Sequence, residues 1–150
     1  MIKYASGDII QTECYAIVNP CNVVGVAGAG ISKKIKEKYP EVYRQYRQEC
    51  RDGIIDINTH LRFHLTGDEK HMIIHLPTKE HWRQKSDIRI IKSGLLRLKT
   101  LLEDIYYKKD IAIPALGCGC GQLAWNDVKP CIEAIAYSLP KIDWEIYGPH

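Results

Sequence analysis

The segment 111–123 constrains the fold of this chain more than any other part of the sequence. It reads Ile-Ala-Ile-Pro-Ala-Leu-Gly-Cys-Gly-Cys-Gly-Gln-Leu, so an apolar run leads directly into a loop with glycine at every second position. Because glycine has no side chain and accepts positive φ, such a loop can close its backbone N–H groups around an anion. The segment therefore predicts a buried strand that ends at a phosphate-binding loop.

Another glycine-rich loop, 25–30, lies earlier in the chain and follows a strand-like run at 16–19. A helix-like segment begins near Ile31, so the loop amides and the positive end of the helix dipole would face the same ligand. In α/β sheets, ligands lie beyond the carboxyl ends of strands, which is where both loops fall. Ordinary tight turns explain either loop alone, but the pair favours a diphosphate held in one cleft.

The rest of the chain alternates between strand-like and helix-like periodicity. Strands are predicted at 2–5, 15–19, 61–66, 72–76, 110–115 and 144–147. Helices are predicted from Ile31, from Pro40, after a cap at Ser86 or Asp87, and after a cap at Asn126. This order predicts an α/β fold of three layers, with a mixed central sheet of about six strands and helices on both faces. No linker or repeat interrupts it, so residues 1–150 are expected to form one domain.

Composition narrows the possible environment and partners. The 150 residues carry a net charge of +3, which permits a nucleic-acid partner without requiring one. No apolar run approaches the roughly 20 residues of a membrane span, and no signal-peptide core is seen, so we expect a cytoplasmic monomer. The six cysteines contain no CxxC pair, which favours reduced thiols. Cys118 and Cys120 are accordingly interpreted as small packing residues rather than nucleophiles.

Together these motifs resemble the macro domain family, whose members bind ADP-ribose. The resemblance rests on Gly-Asp-Ile-Ile at 7–10, on segment 16–22, on Ile-Ile-His at 73–75 and on segment 113–119, and it extends over nearly the whole chain. Segments 77–86 and 117–125 are most similar to the branch of terminal ADP-ribose glycohydrolases. Within that branch, they resemble the bacterial DNA ADP-ribosylglycohydrolase antitoxins.

The resemblance implies a set of ligand-binding residues. Asp8 and the neighbouring N–H of Ile9 would bind the adenine ring, and Asn22 would bind the distal ribose, because an amide both donates and accepts. The residues alone leave a turn-forming role open for Asp8 and Asn22. The remaining implied ligand contacts lie in the two glycine loops: Gly28, Ala29, Gly30, Ile31, Leu116, Gly117, Cys118, Gly119, Cys120 and Gly121.

Lys79 is the catalytic residue that the resemblance implies. Its amine would attack the anomeric carbon of the distal ribose through a ring-opened, imine-like adduct, or stabilise that carbon electrostatically. A eukaryotic member of the branch carries a catalytic aspartate where Gly121 stands here. A general acid is therefore missing from that loop, which leaves water or His81 as the proton donor. Its absence weakens the case for carboxylate-linked ADP-ribose as a substrate.

Two further groups of residues have more than one interpretation. Trp82 could stack on an unpaired base while Arg83 and Lys85 contact phosphates, as in single-stranded DNA binding, or these residues could simply cover the cleft. A turn at Gly67-Asp68 would place His64 opposite His71 and His60 opposite His75, which is compatible with zinc. Ordinary strand positions explain these histidines better, so no metal and no cofactor are predicted.

The prediction from sequence is a hydrolase that releases ADP-ribose from a macromolecular acceptor, with thymidine-linked ADP-ribosylated DNA as the favoured substrate. One alternative is a non-catalytic module that only binds ADP-ribose. Another is a deacylase that acts on glutamate-linked or O-acetyl ADP-ribose. Such a non-catalytic binding module, or reader, would need no amine at the cleft. The role of Lys79 therefore distinguishes the hydrolase from the reader.

Overall fold

A computed structural model describes residues 1–149 of the chain. Its six strands are β1 Ile2–Ala5, β2 Ala16–Cys21, β3 Arg62–Leu65, β4 Met72–Pro77, β5 Asp110–Ile113 and β6 Asp143–Tyr147. Its four helices are α1 Gly30–Lys38, α2 Pro40–Arg51, α3 Ile88–Asp104 and α4 Trp125–Ser138. A short 3-10 turn at Ile9–Gln11, which the periodicity did not predict, follows β1.

The six strands form one mixed sheet in the order β1-β6-β5-β2-β4-β3. The strand β3 runs antiparallel to β4, and all other neighbours are parallel. Ile17 and Ile73 pack in a cluster with residues of α1 and α2, whereas Val18 and Ile74 pack in a cluster with residues of α3 and α4. Since successive strand residues face opposite sides of a sheet, helices cover both faces, and the predicted α/β fold is confirmed.

Helix α3 forms where the apolar spacing predicts it. Ile91, Leu95, Leu98 and Leu102 are each no more than 1% exposed, and the Asp87 side chain caps the helix by accepting the Arg89 N–H at 2.8 Å. The predicted cap of α4 is wrong, because this helix begins at Trp125 and Asn126 lies inside its first turn. The N-cap residue is Ala124, whose side chain cannot accept a hydrogen bond.

The parallel strands place their connecting loops at one edge of the sheet. Strands β5, β2 and β4 are adjacent and end at Ile113, Cys21 and Pro77. The loop at 117–121, here called the second glycine loop, follows β5. The loop at 25–30, the first glycine loop, follows β2, and the segment containing Lys79 follows β4. In the described residues, no helix is both long and apolar enough to cross a membrane. All six cysteines are free thiols.

Candidate functional site

A cavity of about 650 Å³ lies at the edge of the sheet where the parallel strands end. Both glycine loops line it, together with the segments that follow β1, β4 and β6. The residues that line it and were expected at the site are Ile9, Asn22, Gly28, Ala29, Gly30, Ile31, Lys79, Trp82, Gly117, Cys118, Gly119, Cys120 and Gly121. The fold therefore brings most of the expected site residues around one space.

The first glycine loop leads into the amino terminus of α1. Ala29 is the N-cap residue with an extended backbone, and no side chain caps the helix. The first N–H groups of α1 have no partner within their own helix, so they are available to an anion in the cavity. Gly28, Ala29 and Gly30 are exposed at this position, as an anion-binding loop requires.

The Asn22 side chain stabilises the conformation of this loop through hydrogen bonds to its backbone. Its side-chain oxygen accepts the backbone N–H groups of Val24 and Gly25, both at 3.1 Å, and that of Val26 at 3.3 Å. Its Nδ2 donates to the Val26 carbonyl at 2.9 Å. The turn-forming interpretation of Asn22 therefore holds, while the residue still lines the cavity. An amide nitrogen carries two hydrogens, so one remains for a ligand.

The second glycine loop packs tightly against Ser86. Gly117 has φ +73°, and a Cβ atom there would lie 2.8 Å from Leu123 Cδ1. A Cβ atom at Gly121 would lie 2.2 Å from Ser86 Oγ and 2.6 Å from the Gly117 carbonyl oxygen. The loop conformation therefore has no space for an aspartate at position 121. Leu116, expected to contact ligand, is completely buried in the core and does not line the cavity.

The adenine-binding residues expected at positions 8 and 9 differ in their placement. Ile9 lines the cavity, whereas Asp8 does not. Asp8 Oδ1 accepts the Ile10 N–H at 3.1 Å and lies 3.3 Å from Lys34 Nζ. This carboxylate caps the short turn after β1, as the alternative interpretation anticipated. Both contacts use the same oxygen, so Oδ2 is the atom that can still meet a ligand.

Lys79 lies immediately beyond the end of β4 and lines the cavity. Its Nζ donates to the Trp82 carbonyl at 3.0 Å, which orients the amine within its own loop. Backbone hydrogen bonds tie this segment to the residues that lead into the first glycine loop, since the Thr78 N–H donates to the Cys21 carbonyl and the Val23 N–H donates to that of Glu80. The backbone around Lys79 is therefore held beside the start of the first glycine loop.

Trp82 forms part of the cavity mouth and is 44% exposed. The His81 ring stacks on it with centroids 5.5 Å apart, and the Arg83 guanidinium lies 4.6 Å from the indole centroid. Arg83 and Lys85 are exposed but do not line the cavity. Of the three residues expected to contact an acceptor, Trp82 thus lies at the cavity mouth, whereas Arg83 and Lys85 lie outside the cavity.

Several lining residues were missed in the sequence, among them Ser32, Thr78 and Tyr147. Tyr147 belongs to β6, and only the strand order β5-β6-β1 places its end beside the cavity. Burial raises the pKa of Tyr147 to about 12. Burial also raises the pKa of the Cys118 thiol, which agrees with a packing role for this cysteine.

The histidine register expected for zinc is wrong. The sheet pairs His64 with Ile73 and His75 with Arg62. His71 does not lie opposite His64; its Nδ1 is instead 2.8 Å from the Cys14 carbonyl oxygen. Within residues 1–149, no cluster of three or more histidine, cysteine or acidic side chains could hold a metal ion.

Comparison with known proteins agrees with this architecture. The family described as Macro domain matches residues 18–132. The chain belongs to the macro domain family. A relative named DNA ADP-ribosyl glycohydrolase, from Mycobacterium tuberculosis (strain ATCC 25618 / H37Rv), is 37% identical over 151 residues, which cover 99% of this chain and 42% of the relative. The chain thus spans about two-fifths of the length of such curated relatives.

The backbone of this macro domain is also similar to those of solved structures. The macrodomain of Mycobacterium tuberculosis DarG superposes with a TM-score of 0.95 at 36% identity, covering 100% of this chain and 99% of that one. Thermosipho africanus DarTG, solved in complex with ADP-ribose, superposes with a TM-score of 0.86 at 28% identity, covering 98% of this chain and 42% of that one. The second structure shows ADP-ribose in a related protein.

Proposed function

We propose that this macro domain binds ADP-ribose in its cavity and hydrolyses the bond between ADP-ribose and a DNA base. The observation that carries the proposal is the convergence of both glycine loops and the Lys79 amine on one cavity of about 650 Å³. That volume is within the range of small-molecule sites. The relatives named DNA ADP-ribosyl glycohydrolase support the reaction, and the DarTG complex supports the ligand.

In the proposed binding mode, the diphosphate lies between the two glycine loops. The free N–H groups at the start of α1 and those of the second loop donate to its oxygens, with the helix dipole adding to the attraction. The N–H of Ile9 and Oδ2 of Asp8 bind the adenine edge. The remaining Nδ2 hydrogen of Asn22 donates to the distal ribose.

Lys79 is the proposed catalytic residue because it is the amine that follows β4 into the cavity. Its nitrogen forms a bond to the anomeric carbon as the glycosidic bond breaks, and the released electron pair and a proton go to the base nitrogen. Ring opening gives an imine, which water hydrolyses to free ADP-ribose and the original amine. The Trp82 carbonyl, 3.0 Å from Nζ, keeps the amine in one orientation.

The experiment is release of ADP-ribose from a thymidine-linked oligonucleotide, followed by mass spectrometry. Lys79→Ala is expected to bind free ADP-ribose nearly as well as the original protein but to release it at least about a hundredfold more slowly. Lys92→Ala, which removes an exposed lysine of α3, is the matched control. Full release by Lys79→Ala would eliminate the assignment, and binding without turnover by the original protein would favour a reader.

A DNA base is the preferred acceptor in this proposal, for a reason that lies in the second glycine loop. A carboxylic acid at position 121 is sterically excluded by Ser86 and the Gly117 carbonyl. Glutamate-linked ADP-ribose is therefore expected to be a poorer substrate than the thymidine-linked form when both are compared at equal concentration. Faster release from glutamate would instead favour the deacylase alternative.

Trp82 is the proposed contact for an unpaired base of single-stranded DNA. Base stacking on an aromatic ring contributes roughly 1–3 kcal/mol, and the ring is exposed at the cavity mouth. Trp82→Ala is expected to lower the rate of release from single-stranded DNA more than it lowers affinity for free ADP-ribose. Equal losses in the two assays would identify Trp82 as a cover of the cleft only.

A further inference from the structure

A continuous chain of hydrogen bonds runs from the surface of the protein to the wall of the cavity. It starts at the ion pair of Arg62 and Glu49, whose two contacts are both 3.0 Å long. The next contacts are His64 Nε2 to Glu49 at 3.1 Å, His64 Nδ1 to His75 Nε2 at 2.8 Å, His75 Nδ1 to Asn19 Nδ2 at 3.1 Å, and Ser32 Oγ to Asn19 Oδ1 at 2.8 Å. Of these residues, Ser32 is the one that lines the cavity.

The middle of this chain is almost completely excluded from solvent. His75 is 1% exposed, Asn19 is 2% exposed, and the Tyr46 ring stacks on His75 with centroids 5.1 Å apart. Burial lowers the pKa of His75 to about 3, so this ring is neutral. A neutral imidazole has one donor nitrogen and one acceptor nitrogen.

Hydrogen-bond chemistry gives the chain a direction. Burial acts to raise the pKa of Glu49, but hydrogen bonds from Arg62 and His64 leave it below the ordinary value, so the carboxylate is ionised and only accepts. His75 Nδ1 accepts from the amide nitrogen of Asn19, and its Nε2–H then donates to His64. His64 in turn donates from Nε2 to Glu49. Each donor therefore points away from the cavity and towards the carboxylate.

The hydroxyl hydrogen of Ser32 is therefore already donated to a group of the protein. Because Nδ2 of Asn19 donates to His75, Oδ1 of Asn19 faces Ser32 and accepts a hydrogen bond from Ser32 Oγ at 2.8 Å. The Pro20 carbonyl, 2.9 Å away, is a second acceptor for the same hydrogen. Both acceptors belong to the protein, so Ser32 Oγ can offer only lone pairs to a ligand.

We propose that Ser32 is a specificity-determining residue that accepts a hydrogen bond from a ribose hydroxyl of ADP-ribose. Asn19, His75, His64 and Glu49 are positioning residues that keep its oxygen in this state. The inference rests on the proposed function for the identity of the ligand. Phosphate oxygens are acceptors and gain nothing from lone pairs, whereas ribose hydroxyls donate. Ser32 therefore favours a sugar over a phosphate at this part of the cavity wall.

Binding of ADP-ribose and of analogues that each lack one ribose hydroxyl tests the role of Ser32. Ser32→Ala is expected to weaken ADP-ribose binding about five- to tenfold. For one analogue the same substitution should have almost no effect, because its missing hydroxyl is the partner of Ser32. Equal weakening for ADP-ribose and for every analogue would overturn the inference.

Glu49→Gln tests the positioning residues, since Glu49 does not line the cavity. It is expected to weaken ADP-ribose binding about two- to fivefold, again with the effect absent for the same analogue. Glu103→Gln, which changes an exposed glutamate of α3, is the control. A loss that is equal across all ligands would show that Glu49 only stabilises the fold.

The direction of the chain has its own test, which needs no ligand. Long-range ¹H–¹⁵N NMR spectra at neutral pH should show His75 as a neutral ring protonated at Nε2. A His75 ring protonated at Nδ1 would reverse the chain and overturn the inference. If the tautomer is as expected but ADP-ribose does not bind, the proposed function and the role of Ser32 fail while the hydrogen-bond chain stands.

Discussion

Asn22 and Asp8 show how one side chain can serve a loop and a ligand together. Sequence reasoning offered each residue either a turn-forming role or a ligand-binding role. In the structure, Asn22 closes the first glycine loop while lining the cavity, and Asp8 caps the turn after β1 through Oδ1. Asp8 keeps Oδ2 without a protein partner in residues 1–149, and Asn22 keeps one Nδ2 hydrogen, since Nδ2 donates only to the Val26 carbonyl. The two roles are therefore compatible rather than alternative.

The buried ring of His75 is expected to make folding stability depend on pH. Its pKa is about 3 in the folded protein and about 6.5 in the unfolded chain. As the pH falls below about 6.5, the His75 ring binds a proton in the unfolded chain but not in the folded protein. Stability is therefore lost progressively towards pH 3, at about 1.4 kcal/mol per pH unit for this one group.

The measurement is the free energy of unfolding in urea at several values between pH 4.5 and 7. His75→Gln should lower stability near pH 7 and flatten its pH dependence, because the titrating ring is gone. His60→Gln, at an exposed histidine, is the matched control and should follow the original protein. Parallel curves for His75→Gln and the original protein would contradict the assignment of a neutral buried ring.

At the element scale, the second glycine loop contains two glycines with opposite surroundings. A Cβ atom at Gly121 would meet Ser86 Oγ and the Gly117 carbonyl at 2.2 and 2.6 Å, whereas one at Gly119 would have nothing within 4 Å. Gly121→Ala is therefore expected to displace the loop, lowering the free energy of unfolding by roughly 1–3 kcal/mol and weakening ADP-ribose binding.

Gly119→Ala is the paired control, since it adds the same methyl group to the same loop. Its effect on the free energy of unfolding should remain within about 0.5 kcal/mol, as measured by chemical denaturation. Similar destabilisation by the two substitutions would show that general loop stiffness, rather than contact with Ser86, requires glycine at position 121.

The loop between β3 and β4 is longer than the sequence predicted. A tight turn at Gly67-Asp68 was expected, but the Thr66 N–H donates to the His71 carbonyl and four residues lie between them. Asp68 stabilises this longer loop by accepting from Thr66 Oγ1 and from the Lys70 N–H. The register therefore shifts by two residues, which brings His75 beside Arg62 and joins His64 to His75.

At the scale of the whole molecule, the cavity takes residues from five separate loops, so a ligand there should bind only the folded chain. ADP-ribose at a hundred times its dissociation constant should add about 2.7 kcal/mol to the free energy of unfolding. For a chain of this size that corresponds to a rise of roughly 5–10 °C in the melting temperature. AMP, which lacks the second phosphate and the distal ribose, should give a smaller rise.

Differential scanning fluorimetry with increasing concentrations of each ligand provides this measurement. A melting temperature that stays constant with millimolar ADP-ribose would contradict a preformed ADP-ribose cavity. An equal rise with AMP and ADP-ribose would place the binding energy in the adenosine half and argue against a diphosphate between the two loops.

The sequence alone determined the elements and the chemistry of their ends. Local periodicity specifies β2, β4, β5 and α3 because an alternating or buried strand and an amphipathic helix each have a repeat visible within about ten residues. Glycine marks the two anion-binding loops for an equally local reason, since its missing side chain frees nearby N–H groups. Lys79 was identified through resemblance to the family, and its catalytic role remains a prediction.

Which distant residues share the site depends on how the strands and helices are assembled. The strand order places the end of β6 and Tyr147 at the cavity, and the longer β3–β4 loop assembles the chain from Glu49 to Ser32. Hydrogen bonds between residues far apart in sequence depend on sheet order and register, which no local repeat encodes. The physical reason is that a two-residue change in one loop alters every cross-strand partner, while the hydrophobic pattern of each strand stays the same.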